Sequence, residues 1–194
     1  MRKVMIKNEK ELIQSFYYNG YDISNYINTT KVVESDNDGF IDGNDYKAIA
    51  TIRTFSCTNI LFYSDNFAYL VHMLPSETIG KNDKFLTRIE KVKEIINNKN
   101  PNQLNILISL GASIDDKKMG FHNLDYINSN IKLLTNFCEE NNIELNMLPF
   151  FRSKFLLFDL VKKRLIIENN EKKIIDIKTL EVMSEKLTKN RKIK

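Results

Sequence analysis

Cys57-Thr58-Asn59-Ile60-Leu61-Phe62-Tyr63-Ser64-Asp65-Asn66-Phe67-Ala68-Tyr69-Leu70-Val71-His72 is two apolar, aromatic-rich runs broken only by Ser64-Asp65-Asn66. Strand-forming runs flanking turn residues predict a β-hairpin, and a two-residue loop then fixes its register. With Ser64-Asp65 in the loop, Cys57 faces His72 directly. With Asp65-Asn66 in the loop, His72 lies diagonal to Cys57 and still within reach. Directly opposed residues of an antiparallel pair hold their Cβ atoms about 4.5–5.5 Å apart, so the hairpin brings a thiol towards an imidazole.

Outward from the hairpin, the chain alternates strand and helix signals. Lys31-Val32-Val33 begins a strand, and residues 47–55 alternate with β-branched side chains as another. Phe85, Ile89, Val92 and Ile96 define the apolar face of a helix over Lys84–Asn97, and Ile127, Ile131, Leu134 and Cys138 that of a second over Asn123–Asn141. Between them Leu104–Leu110 is a continuous apolar strand. Strands follow at Glu144–Leu148, Lys154–Asp159 and Arg164–Glu168, with an edge strand at Ile174–Ile177. A short helix is predicted over Asn8–Tyr18 and another from Thr179. Mixed strands with two principal helices predict a layered α/β fold.

The bulk properties narrow the function classes. A chain of 194 residues, 42% hydrophobic and 28% charged, can bury a sizeable core and is globular rather than disordered. No apolar run approaches the roughly 20 residues of a membrane-spanning helix, and the N-terminus lacks the apolar stretch of a secretory signal. A cytoplasmic protein is expected, with secretion as an effector by a route needing no such signal left open. The net charge of +4 is modest and concentrated in the tail Lys186–Lys194. Without a basic patch carrying interleaved aromatics, nucleic-acid binding is not expected. A monomer without cofactor or metal is expected.

Two cysteines and two histidines leave few nucleophile–base pairs. Cys138 belongs to an apolar helix face and His122 stands at a helix entrance, so neither suits chemistry. Cys57 and His72 do: an adjacent imidazolium stabilises a thiolate, and the same ring can protonate a leaving amine and then activate water. If strand 47–55 runs on, Thr51, Arg53, Phe55 and Cys57 share one face, and the Thr51 hydroxyl could orient the imidazole. The bland alternative is a core cysteine beside a satisfied core histidine.

Thr51-Ile52-Arg53-Thr54-Phe55-Ser56-Cys57 resembles the nucleophile segment of the chemoreceptor glutamine deamidase (CheD) family, where a Thr stands six residues before the Cys of a Ser-Cys pair. His72-Met73-Leu74-Pro75 resembles that family's histidine segment. Leu110-Gly111-Ala112-Ser113 resembles its Gly-Gly-Ala strand end, and Gly120-Phe121-His122-Asn123 the entry to its second helix. Arg152 and the strands that follow resemble its C-terminal half. The match covers roughly residues 31–178 in the family's order, leaving 1–30 as an N-terminal extension and 179–194 as a C-terminal helix and basic tail. The resemblance implies an α/β/β sandwich, shared with the catalytic domain of cytotoxic necrotizing factor toxins. It also implies hydrolysis of a glutamine side chain in a protein substrate by a triad of Cys57, His72 and Thr51. The alternative within the same fold is a catalytically silent interaction domain.

Departures from the family concern the substrate. Phe55 replaces a Gly, and Pro149-Phe150-Phe151 stands where Gly-Gly-Asn normally precedes Arg152. Bulky apolar side chains in place of open backbone predict that Ser56, Phe150, Phe151 and Arg152 line the substrate site, with the phenylalanines as apolar anchors for a folded protein or a hydrophobic helix, and leave open whether the target is a chemoreceptor or another protein. One further motif competes for attention. Glu34–Asp45 places oxygen side chains and Gly39 in the order of an EF-hand calcium loop, although the strands expected on both sides favour an acidic turn.

Overall fold

The computed structural model describes residues 26, 28–52, 57–74, 83–110, 120–148, 151–152, 155–168 and 173–176. The helices expected near residues 8–18 and from Thr179 lie outside them. In chain order the elements are β1 (Thr30–Val33), β2 (Asp38–Ile41), β3 (Ala48–Ile52), β4 (Thr58–Tyr63), β5 (Ala68–Met73) and α1 (Asp83–Lys99). There follow β6 (Gln103–Leu110), α2 (Gly120–Glu140), β7 (Glu144–Met147), β8 (Phe151–Arg152), β9 (Phe155–Asp159), β10 (Arg164–Glu168) and β11 (Lys173–Asp176). Asn100 and Asn142, just past the two helices, take positive φ of 45° and 57°, the left-handed cap that Asn tolerates better than most side chains.

Two mixed sheets result. One runs β1-β3-β9-β10-β11; the other runs β2-β5-β4-β6-β7, with β8 added to β6. Alternation assigns the faces. Ile60, Phe62, Tyr69, Val71, Ile106 and Ile108 pack with Phe85, Ile89, Val92 and Ile96 of α1 and with Ile131, Leu134 and Cys138 of α2. Their sequence neighbours Leu61, Tyr63, Leu70 and Leu107 face the other sheet and meet Val33, Ile49, Leu156 and Phe158. The layers are therefore helices, central sheet, second sheet: the α/β sandwich expected from the sequence.

Two expectations need correction. Of the strand expected over 47–55, β3 covers Ala48–Ile52 and residues 53–55 lie outside the described residues, while β4 begins at Thr58 in the other sheet. Thr51 and Cys57 thus approach from facing sheets and not along one strand. The acidic segment also holds a strand, β2, paired antiparallel with β5 from Asp38↔Val71 to Ile41↔Ala68. Asp and Gly are depleted in strands, so the local composition hides it. Packing supplies what propensity lacks: Ile41 enters the inter-sheet core and Phe40 packs on the helix side.

Gly39 is the residue that allows β2 to lie so close to β1. A Cβ built there would stand 2.7 Å from Val33 Cγ2, inside any real contact. Gly39→Ala is expected to cost about 1–3 kcal/mol through overpacking against a stiff β-branched side chain. Urea denaturation measures this directly. An unchanged midpoint would mean that Val33 yields freely.

Candidate active site

At one end of the sandwich the chain leaves the second sheet for the central sheet twice, and each of these crossings delivers a functional group. From β1 to β2 it turns through Glu34–Asn37, where Asp36 adopts a positive φ of 62°, and this turn carries Ser35. From β3 to β4 it arrives at Cys57. The hairpin register pairs Asn59 with His72 and Thr58 with Met73, so the loop is Asp65-Asn66 and Cys57 stands diagonal to His72. Both lie on the face turned to the second sheet, where Thr51 of β3 meets them. The His72 backbone N–H donates to Asn37 O at 2.9 Å, tying β5 to the first crossing.

The side chains form one hydrogen-bonded chain. Thr51 Oγ1 donates to Val33 O at 2.8 Å and stands 2.6 Å from His72 Nδ1. A hydroxyl has a single proton. Since that proton goes to the carbonyl, Nδ1 must carry the ring hydrogen and donate to Thr51. Nε2 is then the acceptor, and the Ser35 hydroxyl, 3.2 Å away, donates to it. Cys57 Sγ lies 3.9 Å from the same Ser35 oxygen. Ser35 therefore bridges the Cys57 sulfur and Nε2, and the series His72, Thr51, Val33 anchors the opposite nitrogen.

His72 and Thr51 are fully buried and Cys57 is 5% exposed, whereas Ser35 is exposed at the mouth. Burial pushes the His72 pKa down to about 4, with the Arg88 guanidinium adding in the same direction and the Val33 carbonyl opposing. The resting ring is neutral at pH 7. The expectation of a standing imidazolium beside the thiol is therefore corrected: His72 is arranged as a neutral base. Cys138 has moved the other way, its thiol pushed up to about 11 by burial.

No protein-family model and no curated protein matches this chain. The geometry therefore stands on its own residues. It joins Thr51 to His72 directly and links Cys57 to His72 through Ser35. Ser56 and Phe150 lie outside the described residues. Phe151 and Arg152 are placed by backbone alone, as β8 pairing in parallel with Ser109 and Leu110 of β6.

The acidic segment takes part through ion pairs. Asp36 accepts from Lys84 at 3.0 Å and Arg88 at 3.3 Å; Asp38 meets Lys91 at 2.9 Å and Arg88 at 3.8 Å; Asp42 meets Lys99 at 3.0 Å. These cations follow one another along α1. β2 runs through the segment, and Asp36, Asp38 and Asp42 turn their carboxylates to the helix. Arg88, 5% exposed, also donates to Asp36 O at 3.1 Å, which braces the turn that carries Ser35. The signal for Arg88 was visible: it falls on the apolar face of α1, three residues after Phe85. For Ser35 no local pattern exists, since its role arises from the crossing.

The depressed pKa of His72 has a stability consequence. Its neutral form is favoured in the fold, so the contribution is complete above the unfolded value of 6.5 and is lost as pH falls towards about 4. The loss integrates to about 3 kcal/mol. Chemical denaturation of the wild type and His72→Gln from pH 7 to 4 checks it. The wild type is expected to lose stability more steeply, and parallel profiles would refute the shift.

Proposed function

We propose that this chain is a cysteine-dependent protein-glutamine deamidase. The observation that carries the reading is the proton path from Cys57 through Ser35 to His72 Nε2, with the far side of the ring held by Thr51. The resemblance of the Thr51–Cys57 and His72–Pro75 segments to the CheD family names the same residues, and the observed α/β sandwich agrees with it.

The chemistry follows from the tautomer. Neutral Nε2 accepts the thiol proton by way of the Ser35 hydroxyl, so the thiolate and imidazolium are generated only when a substrate arrives. Sulfur adds to the glutamine carboxamide carbon, and the C–O π electrons move to oxygen. The imidazolium then protonates nitrogen, the C–N bond breaks, and ammonia leaves a thioester. A water gives its proton to Nε2 and adds to the thioester carbon. The C–S bond breaks, the proton returns to sulfur, and glutamate departs. The Cys57 backbone N–H is suited to the developing oxyanion. Throughout, Thr51 keeps the ring in the productive tautomer, and the carbonyl of Val33 keeps Thr51 in place.

The test is release of ammonia from glutamine-rich proteins such as β-casein, with the mass gain of amide-to-acid conversion located by peptide mass spectrometry. Cys57→Ser is expected to release none, and His72→Ala to lose on the order of 10²–10⁴ in rate. The acid limb of kcat/KM should fall near pH 4, where His72 protonates, with activity flat from there to neutrality. Iodoacetamide at pH 7 should label Cys57 well before Cys138. Equal labelling of the two thiols would point to the silent interaction domain.

A further inference from the structure

Asn59 is the residue that the proton path does not use and the fold does not explain. Its side chain is completely buried, and among the described residues neither its amide nitrogen nor its carbonyl oxygen has a hydrogen-bond partner. Buried carboxamides without partners are rare in native proteins, and each asks for a reason. The surroundings are apolar leucines: Leu61, Leu70 and Leu107 face the same inter-sheet space. Yet Asn59 is paired directly with His72 on β5 and with Ser109 on β6, and it follows Cys57 by two residues, on the same face.

We propose that Asn59 reads the primary carboxamide of the substrate. The inference rests on the deamidase reading and deepens it. Opposed positions hold Cβ atoms about 4.5–5.5 Å apart, and alternate residues of a strand are separated by about 6.6–6.8 Å. A carboxamide whose carbon sits at the Cys57 sulfur therefore extends towards Asn59, beside His72. An Asn side chain is the complement of a primary amide: its N–H donates to the substrate C=O and its C=O accepts from the substrate N–H. Both of these groups are free on Asn59. The pairing lies in the amide plane and leaves the perpendicular approach open to sulfur.

The same arrangement separates substrate from product. After hydrolysis the substrate end is a carboxylate, which accepts hydrogen bonds and donates none. The Asn59 oxygen then faces another acceptor in a dry site, and the pairing that held glutamine repels glutamate. The orphaned groups are thus matched to glutamine and mismatched to what the reaction leaves behind.

Two thiol reagents test this without a natural substrate. Iodoacetamide carries a primary carboxamide next to the carbon that sulfur attacks; methyl methanethiosulfonate carries none. Rates of Cys57 modification by each are measured by peptide mass spectrometry in the wild type, Asn59→Leu and Asn59→Ser. The Leu variant removes both orphaned groups at similar volume and is expected to raise the unfolding midpoint. The Ser variant supplies a second folded protein should the Leu variant aggregate. The ratio of iodoacetamide to methanethiosulfonate rates is expected to fall roughly tenfold in the variants, the weight of one or two hydrogen bonds. An unchanged ratio with Cys57 still outpacing Cys138 would overturn the assignment of Asn59 and leave the nucleophile standing. Should Cys57 outpace Cys138 with neither reagent, the deamidase reading fails and this inference with it.

Discussion

The single proton of the Thr51 hydroxyl organises this structure. Given to Val33 O at 2.8 Å, it cannot also be given to His72, so the ring must donate from Nδ1 and present Nε2 bare. The bond that makes this choice lies within the second sheet, between residues paired in register on β1 and β3. The ring it controls belongs to the central sheet. A backbone carbonyl thus sets the protonation state of a side chain across the sandwich. Nothing charged is required, which suits an interior where an isolated carboxylate would be costly to bury. With a carboxylate in place of Thr51, the imidazolium would be favoured and the ring would no longer rest as a base.

That constraint depends on the two crossings being held in position. The first is the weaker by composition, a short acidic turn with a strained Asp36. It is secured from outside by Arg88 and Lys84 of α1 and from inside by the His72 backbone N–H on Asn37 O. Exposed ion pairs contribute little individually. Arg88 differs because it is buried and bonds both a carboxylate and a backbone carbonyl of the turn. Removing it would leave two partly buried carboxylates with only flexible lysines. Arg88 therefore acts twice on the site: it braces the turn bearing Ser35, and its charge helps keep His72 neutral.

Much of the fold was legible because it rests on periodicity. The hairpin, both helices and the strands at β6, β7, β9 and β10 are long apolar patterns whose burial the solvent enforces. The neighbourhood of Cys57 and His72 was legible too, since they flank a single turn. The choice of loop was not. Ser64-Asp65 and Asp65-Asn66 are both good turn pairs, and the two registers differ by two residues, so every side chain keeps its face in either one and alternation cannot choose between them. β2 was hidden because Asp38 and Gly39 oppose strand propensity, and only Phe40, Ile41 and a docking edge on β5 overcome it. Ser35 and the Thr51–Cys57 approach were illegible for a deeper reason. They depend on where the chain changes sheets, and no local pattern encodes a contact between two crossings.

The inter-sheet space is otherwise built for stability, with leucine, isoleucine and phenylalanine from both sheets interleaved. At one end this rule is broken: Cys57, Asn59, His72 and Thr51 replace apolar residues on positions whose alternation demands burial. A neutral histidine held well below its ordinary pKa and an Asn with no partner are each less stable than the leucines that could stand there. Had the end been only structural, apolar residues would satisfy the same pattern at lower free energy. A thiol, an imidazole, a hydroxyl and a carboxamide gathered at one end, beside the turn that carries Ser35, are what favour reading that end as a site. Thr51, Ser35 and Val33 account for the histidine. The remaining cost, at Asn59, is the one that the proposed pairing with a primary amide would recover.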